Sequence, residues 1–264
     1  MAGPNPFSVL RAILRARRLA PPQPAGTGDV DHSGFDPILR AAEAGGVDAL
    51  VDFAAEIREY IEGLSAVDPD DLTRESALAY WLNLHNAAAL DLAGRARAAN
   101  QTSVLDIRDG FGSEVIHLGD ESLTLAGIEH GKLRRFGDPR IHGALVCGSI
   151  SCPTLRFEAY RGDMVDRQLD DQMRHFLAAG GFEANEASGV ARISRVFLWY
   201  GADFVRPQRM PTLLPAPRRR IAAALLPWLS AEEATWLASS RPKVAFQRYD
   251  WSLGCAVRAR PGTS

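Results

Sequence analysis

The sequence predicts an α+β domain in which a helical N-terminal part packs on a small, mostly antiparallel sheet. Segments with helical periodicity dominate the first 100 or so residues, and short segments of strand character are confined to the middle and the end. A parallel sheet would be accompanied by a regular alternation of strands and helices, and this sequence does not show that alternation. A chain of 264 residues can bury one large core, and we predict a single domain over 35–264.

Residues 1–34 are predicted to form an N-terminal extension. A basic amphipathic helix is expected over 7–19, followed by a linker over 21–28 that is rich in proline and glycine. Such a helix can contact an anionic membrane surface, although a solvated or docked terminal helix is the commoner outcome.

The helical pattern of the next hundred residues predicts three helices. Two lie between 36 and 64 and are separated at Gly45-Gly46; the third begins after Thr73. The third helix is apolar nearly all round, so we expect it at the centre of the fold. It carries Asn83, His85 and Asn86, whose polar groups must bond to backbone elsewhere or face a cavity, because an unpaired buried polar group costs ~1–3 kcal/mol.

The second half of the chain mixes helix and strand signals. The predicted elements are a hairpin over 115–125, helices over 128–133 and 163–178, a strand over 191–196, helices over 221–229 and 231–237, and a last strand over 244–251.

The stretch from 141 to 155 holds two of the three cysteines and is the main candidate for chemistry. Its first seven residues predict a short buried strand that Gly148 and Ser149 end, and Pro153 after Cys152 predicts a helix whose first turn covers 154–160. A thiol beside unpaired amides at a helix start favours thiolate. In an extended strand His142 and Cys147 would point to opposite faces and could not form an adjacent pair. The alternative is that the cysteines are small buried hydrophobic residues.

Several sequence segments of the chain together resemble a known family. They are Tyr80 to Ala87, Leu123 to Leu125 with Ile128 to His130 and Leu133-Arg134, His142 to Leu155, Phe197 to Phe204, and Tyr249 to Leu253. Their order over about 72–254 is similar to the bacterial and plant family called domain of unknown function 547. The resemblance implies that Cys147 is a better candidate thiol than Cys152 and that a disulfide between them is not obligatory. This chain departs from the family at His85 and Gly254.

The first functional hypothesis is a thiol-dependent hydrolase or acyltransferase, resembling papain-like or transglutaminase-like enzymes, in which Cys147 attacks an amide, ester or thioester. The catalysis needs a base, a group that orients it, and donors for the oxyanion. The preferred base is His130, preceded by Glu129, and His142 is the second choice. The candidates for orienting the base are Asn83, Asn86 and Asp203. The residues predicted to line the substrate are Gly148, Ser149, Ser151, Cys152, Trp199 and Tyr200.

Two alternatives stay open at this point. The chain is a non-catalytic module whose aromatic clusters hold the fold and bind a partner, or it is a zinc or thiol-redox protein using His130, His142, Cys147 and Cys152. The spacing of the two cysteines fits no common metal or thioredoxin-type motif, so we predict no metal and no cofactor.

Composition excludes some classes of partner. The net charge of −2 and pI near 6.3 provide no electrostatic footprint for nucleic acid, and no apolar run reaches the ~18 residues of a spanning helix. The expected partner is a small-molecule, peptide or carrier-bound substrate, and the oligomeric state is open. An odd number of cysteines and no leader pattern predict the reducing cytoplasm.

Overall fold

The computed structural model describes residues 6–212 and 214–254. The helices are α1 (Pro6–Ala16), α2 (Asp36–Asp52), α3 (Ala54–Leu64), α4 (Arg74–Ala98), α5 (Leu125–Gly127), α6 (Ile141–Ala144), α7 (Val165–Phe176), α8 (Val196–Val205), α9 (Arg218–Ala224) and α10 (Ala231–Ser240). The α5 helix continues through a π-helical turn (Ile128–Lys132) and a 3₁₀ turn (Leu133–Phe136), which together cover the helix predicted over 128–133.

The strands form two small sheets. The β1 (Glu114–Leu118) and β2 (Glu121–Thr124) strands make the predicted antiparallel hairpin. The β3 (Phe182–Asn185) strand pairs antiparallel with β4 (Val190–Ile193), and β5 (Lys243–Phe246) adds parallel to β4. The predicted α+β class with mostly antiparallel pairing is confirmed, although the strands are split between two sheets. Strand β3 was not predicted because three of its four side chains are exposed and give no apolar alternation.

Helix α4 lies at the centre of the helical part, as its sequence predicts. Thr73 caps its start, with the Thr73 hydroxyl accepting a hydrogen bond from the Ser76 N–H. The helix packs against α2 and α3 and is buried around most of its circumference. The predicted break in the preceding helical segment is a kink at Gly46, where φ is 63° and only glycine is unstrained.

The N-terminal extension docks on the rest of the protein. Helix α1 contacts α5, and after it the carbonyl oxygen of Arg17 accepts a hydrogen bond from Arg135 Nη2 at 3.0 Å. The carbonyl oxygen of Ala20 accepts one from Lys132 Nζ at 2.8 Å. Within the described ranges, we find no helix with both the length and the hydropathy needed to cross a membrane.

The prediction of a strand over 141–147 is wrong. Residues Ile141–Ala144 form a helical turn, and 145–147 are extended but belong to no sheet. The reason lies on α4, where the Asn86 side chain donates to the Ala144 carbonyl at 3.0 Å and accepts from the Val146 N–H at 3.1 Å. One amide side chain therefore supplies the hydrogen bonds that a neighbouring strand would have made.

The helical turn predicted over 154–160 is also wrong, since α7 begins only at Val165. Side chains satisfy the backbone here as well. The Asn83 amide bonds both the N–H and the carbonyl of Tyr160, at 2.9 and 2.7 Å, and Gln168 bonds the Ala159 carbonyl and the Arg161 N–H, both at 2.9 Å.

Candidate functional site

The segment that carries Cys147 is held from two sides. On one side Asn86 of α4 fixes residues 144–146, as described above. On the other side the chain near the C-terminus runs antiparallel to residues 148–151: the Ile150 N–H donates to Ser252 at 2.8 Å and the Ser151 N–H donates to Asp250 at 3.2 Å. The predicted site residue Ser151 also fixes this pairing, because its hydroxyl accepts the Asp250 N–H at 2.9 Å. The thiol loop is thereby positioned by residues far away in sequence.

The Cys147 thiol is half-buried and has polar neighbours. Its Sγ lies 3.0 Å from Ser149 Oγ and 3.3 Å from Tyr249 Oη, and the two hydroxyl oxygens are 3.0 Å apart. The Cys147 N–H donates to Cys152 Sγ at 2.8 Å, and Cys152 is buried. The sulfur therefore lies in a small hydrogen-bonded cluster and is not enclosed by aliphatic groups alone.

These contacts favour the ionised sulfur. Hydrogen bonding with Cys152 lowers the pKa of Cys147, burial opposes this, and the Ser149 and Tyr249 hydroxyls lower it further, to about 7. Burial, together with the negative charge of the nearby cysteines, raises the pKa of Tyr249 well above its usual value, so its hydroxyl stays protonated and can donate. The lowered pKa increases the thiolate fraction of Cys147 at neutral pH.

Gly148 allows the turn that follows the thiol. Its φ is +76°, and a Cβ placed there would lie 3.0 Å from Ala93 Cβ and 3.1 Å from Val104 Cγ1. Glycine is needed here both for the backbone conformation and for the close approach to α4. Within residues 6–212 and 214–254 no hydrogen bond is formed by the Gly148 N–H.

A second group of predicted residues centres on a buried carboxylate. Asp203 of α8 accepts hydrogen bonds from Arg134 Nε at 2.8 Å and Nη2 at 3.0 Å, and its Oδ2 lies 2.9 Å from His142 Nε2. Burial raises the pKa of Asp203, but His142 and Arg134 outweigh it and bring the pKa to about 2. An ionised carboxylate only accepts, so the His142 proton is on Nε2 and the lone pair is on Nδ1.

His142 is neutral at pH 7 in this environment. Burial lowers the pKa of His142, and the nearby Asp203 carboxylate opposes that effect without overcoming it. The imidazole lies flat on the Tyr200 ring, with centroids 4.1 Å apart and planes 13° apart. Tyr200 in turn is hydrogen-bonded to Glu129. Burial and the Glu129 carboxylate are the main causes of the raised pKa of the Tyr200 hydroxyl, and the charge of Cys147 adds to them.

His130, the preferred base in the sequence, is less well placed than His142. Its Nδ1 lies 3.4 Å from Arg134 Nη1 and 3.8 Å from Glu129 Oε1, and its ring is 6.2 Å from that of Tyr200. Burial lowers the pKa of His130 to about 4, and Glu129 only partly offsets this. The His130 imidazole has a cation as its nearest side-chain partner, whereas His142 has a carboxylate.

The structure thus brings the predicted site residues into two adjoining groups. Cys147, Ser149 and Cys152 form the thiol cluster, and Glu129, His130, His142 and Asp203 surround Tyr200 beside it. No contact within hydrogen-bond distance joins an imidazole to the sulfur in the described ranges. The amides of Asn83 and Asn86 bond backbone, which fits the structural role considered for them in the sequence. The argument that strand geometry separates His142 from Cys147 no longer applies, because residues 141–144 are helical.

Two site residues were missed by sequence reasoning. Tyr249 and Arg134 appear in the sequence analysis only in the segments that resemble the family, and neither was given a role at the site. The family resemblance covers both positions, yet nothing in local spacing connects either one with its partner, which is more than 60 residues away.

The described residues around the thiol include no metal-binding group, and one large cleft lies elsewhere. In the described part of the chain, no group of three or more His, Cys, Asp and Glu side chains is arranged to hold a metal ion. A cleft of about 420 Å³ between α3, α4 and the hairpin is lined by other residues, such as Asp91 and Arg95, and not by Cys147. A substrate of the thiol would therefore bind outside that cleft.

Comparison with known proteins identifies a family but no characterised relative. No curated protein and no solved structure matches the chain, so the expected likeness to papain or transglutaminases is not borne out. A family match covers the segment that contains Asn83, Asn86, His130, His142 and Cys147 but ends before Tyr200, Asp203 and Tyr249. Residues 69–177 match the family described as "Protein of unknown function, DUF547", which confirms the predicted resemblance over those residues.

Proposed function

We propose that this protein is a thiol-dependent hydrolase or acyltransferase that acts on an amide, ester or thioester with Cys147 as its nucleophile. The single observation that carries the proposal is the environment of Cys147 Sγ, which is half-buried and within 3.3 Å of two hydroxyl groups. Hydroxyl donors stabilise a thiolate more than a neutral thiol, and the thiolate is the nucleophilic form of cysteine.

The first chemical step is attack by the Cys147 thiolate on the substrate carbonyl carbon. A C–S bond forms, and the oxyanion accepts a hydrogen bond from the Gly148 N–H. The bond to the leaving group then breaks, the leaving group takes up a proton, and a thioester remains on Cys147. Water or another acceptor then attacks the thioester carbon, releases the acyl group and returns the thiol.

We assign the acid–base role to His142. Asp203 fixes its tautomer with the lone pair on Nδ1, which is the function of the third residue in a catalytic triad. Because the pKa of Cys147 is already about 7, the sulfur does not need an adjacent imidazole to ionise. His142 would then act on the proton of the leaving group or of the attacking water, from its position on the Tyr200 ring.

The test is ester turnover by Cys147→Ala and Cys147→Ser, with para-nitrophenyl acetate as the probe. Both variants should lose turnover while the melting temperature stays within about 2 °C of the parent, because the side chain is small and half-buried. Cys255, which lies outside the described residues, provides the control: Cys255→Ala should retain full turnover. Turnover that survives in both Cys147 variants, or a large loss of stability in them, would refute the proposal.

A second candidate function is thiol–disulfide exchange, and one contact favours it. The Cys147 N–H donates to Cys152 Sγ at 2.8 Å, so the two cysteines meet across one turn. Oxidation by a small-molecule disulfide would form the Cys147–Cys152 bond and release two equivalents of small-molecule thiol. Titration with oxidised and reduced glutathione, followed by peptide mass spectrometry, distinguishes this function, since an acyl-transfer enzyme needs no such redox cycle.

We also propose the cytoplasm as the compartment. The reducing conditions of the cytoplasm keep Cys147 and Cys152 in the thiol state, which both candidate functions require in at least one state.

A further inference from the structure

Three aromatic rings form a cluster beside the thiol, which we call the aromatic platform: exposed Trp199, partly exposed Tyr249 and buried Trp251. The Trp199 and Tyr249 rings have centroids 4.8 Å apart, Tyr249 and Trp251 are 4.5 Å apart, and Trp199 and Trp251 are 5.8 Å apart. Trp199 is 40% exposed, and its neighbour Leu198 is 44% exposed. Trp199 is the most exposed ring of the platform, and a ligand that covers it removes this apolar surface from water.

The aromatic platform is continuous with the candidate nucleophile. The hydroxyl of Tyr249 is 3.3 Å from Cys147 Sγ, while the ring of the same residue packs against both tryptophans. A carbonyl group that reacts at the sulfur therefore has the platform next to it. Of the two substrate groups bonded to that carbonyl, the leaving group departs and the acyl chain stays on the sulfur, so the acyl chain is the group that remains beside the platform through both steps.

The geometry of the rings favours a flexible apolar chain. The planes of the three pairs are inclined by 56°, 50° and 32°, so the rings do not share the single flat face on which a sugar or a planar ring would stack. The flanking charged residues Arg248 and Asp250 are exposed and of opposite sign, so they give no net preference for an anionic or cationic substrate.

We propose that the aromatic platform binds the acyl chain of the substrate and that the substrate class is an ester or thioester of an apolar aliphatic acid. This inference rests on the proposed function. In the reaction the Cys147 thiolate bonds to the acyl carbon and the leaving oxygen or sulfur departs with a proton. Water then splits the thioester into a free carboxylic acid and the Cys147 thiol. A free ester and an acyl group on a carrier share this chemistry.

The experiment compares kcat/KM for para-nitrophenyl octanoate and para-nitrophenyl acetate. The parent protein should prefer octanoate by at least about tenfold, since each methylene removed from water adds to binding of the chain. Trp199→Ala should lower the octanoate-to-acetate ratio by about tenfold. The control is Val51→Ala, which removes another exposed apolar side chain, on α2, and should leave the ratio unchanged. Melting temperatures of both variants show whether the fold is retained.

Failure of this inference is distinguishable from failure of the proposed function. An octanoate-to-acetate ratio near one in the parent, with turnover that still depends on Cys147, overturns the platform and leaves the thiol enzyme intact. If neither ester is turned over, calorimetric titration with octanoate decides whether the platform binds an acyl chain. Saturable binding that Trp199→Ala weakens supports the platform without the catalysis, and absence of binding overturns both.

A mass-spectrometric measurement separates a free from a carrier-bound source of the acyl chain. Protein incubated with octanoyl-coenzyme A or with free octanoate esters is digested and examined for an octanoyl thioester on the Cys147 peptide. We expect the adduct from at least one donor and its loss in Trp199→Ala at equal substrate concentration. Adducts of equal yield in the parent and in Trp199→Ala would overturn the assignment of the chain to the platform.

Discussion

The Asp203 carboxylate is shared between His142 and Arg134, and its Oδ2 lies 2.9 Å from His142 Nε2. All three side chains are almost fully buried, so the ion pair between Asp203 and Arg134 is removed from water and the imidazole stays neutral beside it. One carboxylate thus stabilises a buried cation and fixes the tautomer of the candidate base. The arrangement links the stability of this region to the proposed chemistry.

Asp203→Asn should destabilise the protein by about 3–5 kcal/mol, because it leaves the buried guanidinium of Arg134 without a counter-charge. Urea unfolding at neutral pH measures the loss. The matched control is Asp171→Asn, which breaks an ion pair with Arg156 at a carboxylate that is 67% exposed and should cost less than about 1 kcal/mol.

The cost of Asp203→Asn should also depend on pH. The folded-state pKa of Asp203 is about 2, below the ordinary value of 3.8, so the carboxylate stabilises the fold at pH values above 3.8 and this contribution is lost as the pH falls toward 2. The difference between parent and variant should therefore shrink by about 2 kcal/mol over that window. A stability difference that stays constant from pH 5 to pH 2 would show that folding does not lower the pKa of Asp203.

Alkylation should reveal the depressed pKa of Cys147. The rate of iodoacetamide labelling at the Cys147 peptide should rise with a midpoint near pH 7, since only the thiolate reacts. Tyr249→Phe removes a hydroxyl 3.3 Å from the sulfur and should raise the midpoint by about one unit. Peptide mass spectrometry separates this signal from those of Cys152 and Cys255.

Tyr160→Phe is the control for that substitution. The Tyr160 hydroxyl is buried and has no hydrogen-bond partner within the described ranges, so its removal should leave the labelling midpoint where it was. An equal shift in both variants, or none in Tyr249→Phe, would contradict hydrogen-bond control of the thiol.

Sequence reasoning was successful where a signal is local. The apolar character of α4, the Thr73 cap and the hairpin of β1 and β2 all follow from residues adjacent in the chain. The same holds for Ser149, which lies two residues from Cys147 and reaches its sulfur across a glycine turn.

Long-range side-chain bonds explain where that reasoning failed. Residues 141–147 have the composition of a strand, but Asn86, about 60 residues earlier, replaces the partner strand. The choice between His130 and His142 depended on this error, because helical geometry at 141–144 removes the objection to His142. Tyr249 was missed because its contact spans 102 residues and no periodicity encodes it.

Gly148→Ala should destabilise the protein by about 2–3 kcal/mol. A side chain at φ +76° is strained, and its Cβ would also lie 3.0 Å from Ala93 Cβ on α4. Gly119→Ala separates the two effects, because Gly119 has φ +55° but nothing within 4 Å of a built Cβ. Its cost should be only about 1 kcal/mol. If urea unfolding gives the same loss of stability for both variants, the close contact of Gly148 with α4 contributes nothing to the cost.

Asn86→Ala should cost about 2–4 kcal/mol in stability and also raise the labelling midpoint of Cys147. The substitution leaves the Ala144 carbonyl and the Val146 N–H without partners, and these groups fix the backbone immediately before the thiol. Asn83→Ala is the matched comparison: this amide makes the same two kinds of bond, to Tyr160, from a side chain that is equally buried on the same helix. It should cost a similar amount of stability and leave the Cys147 midpoint near pH 7. If both substitutions shift the midpoint equally, the thiol responds to general loosening of α4 and not to the bonds that Asn86 makes.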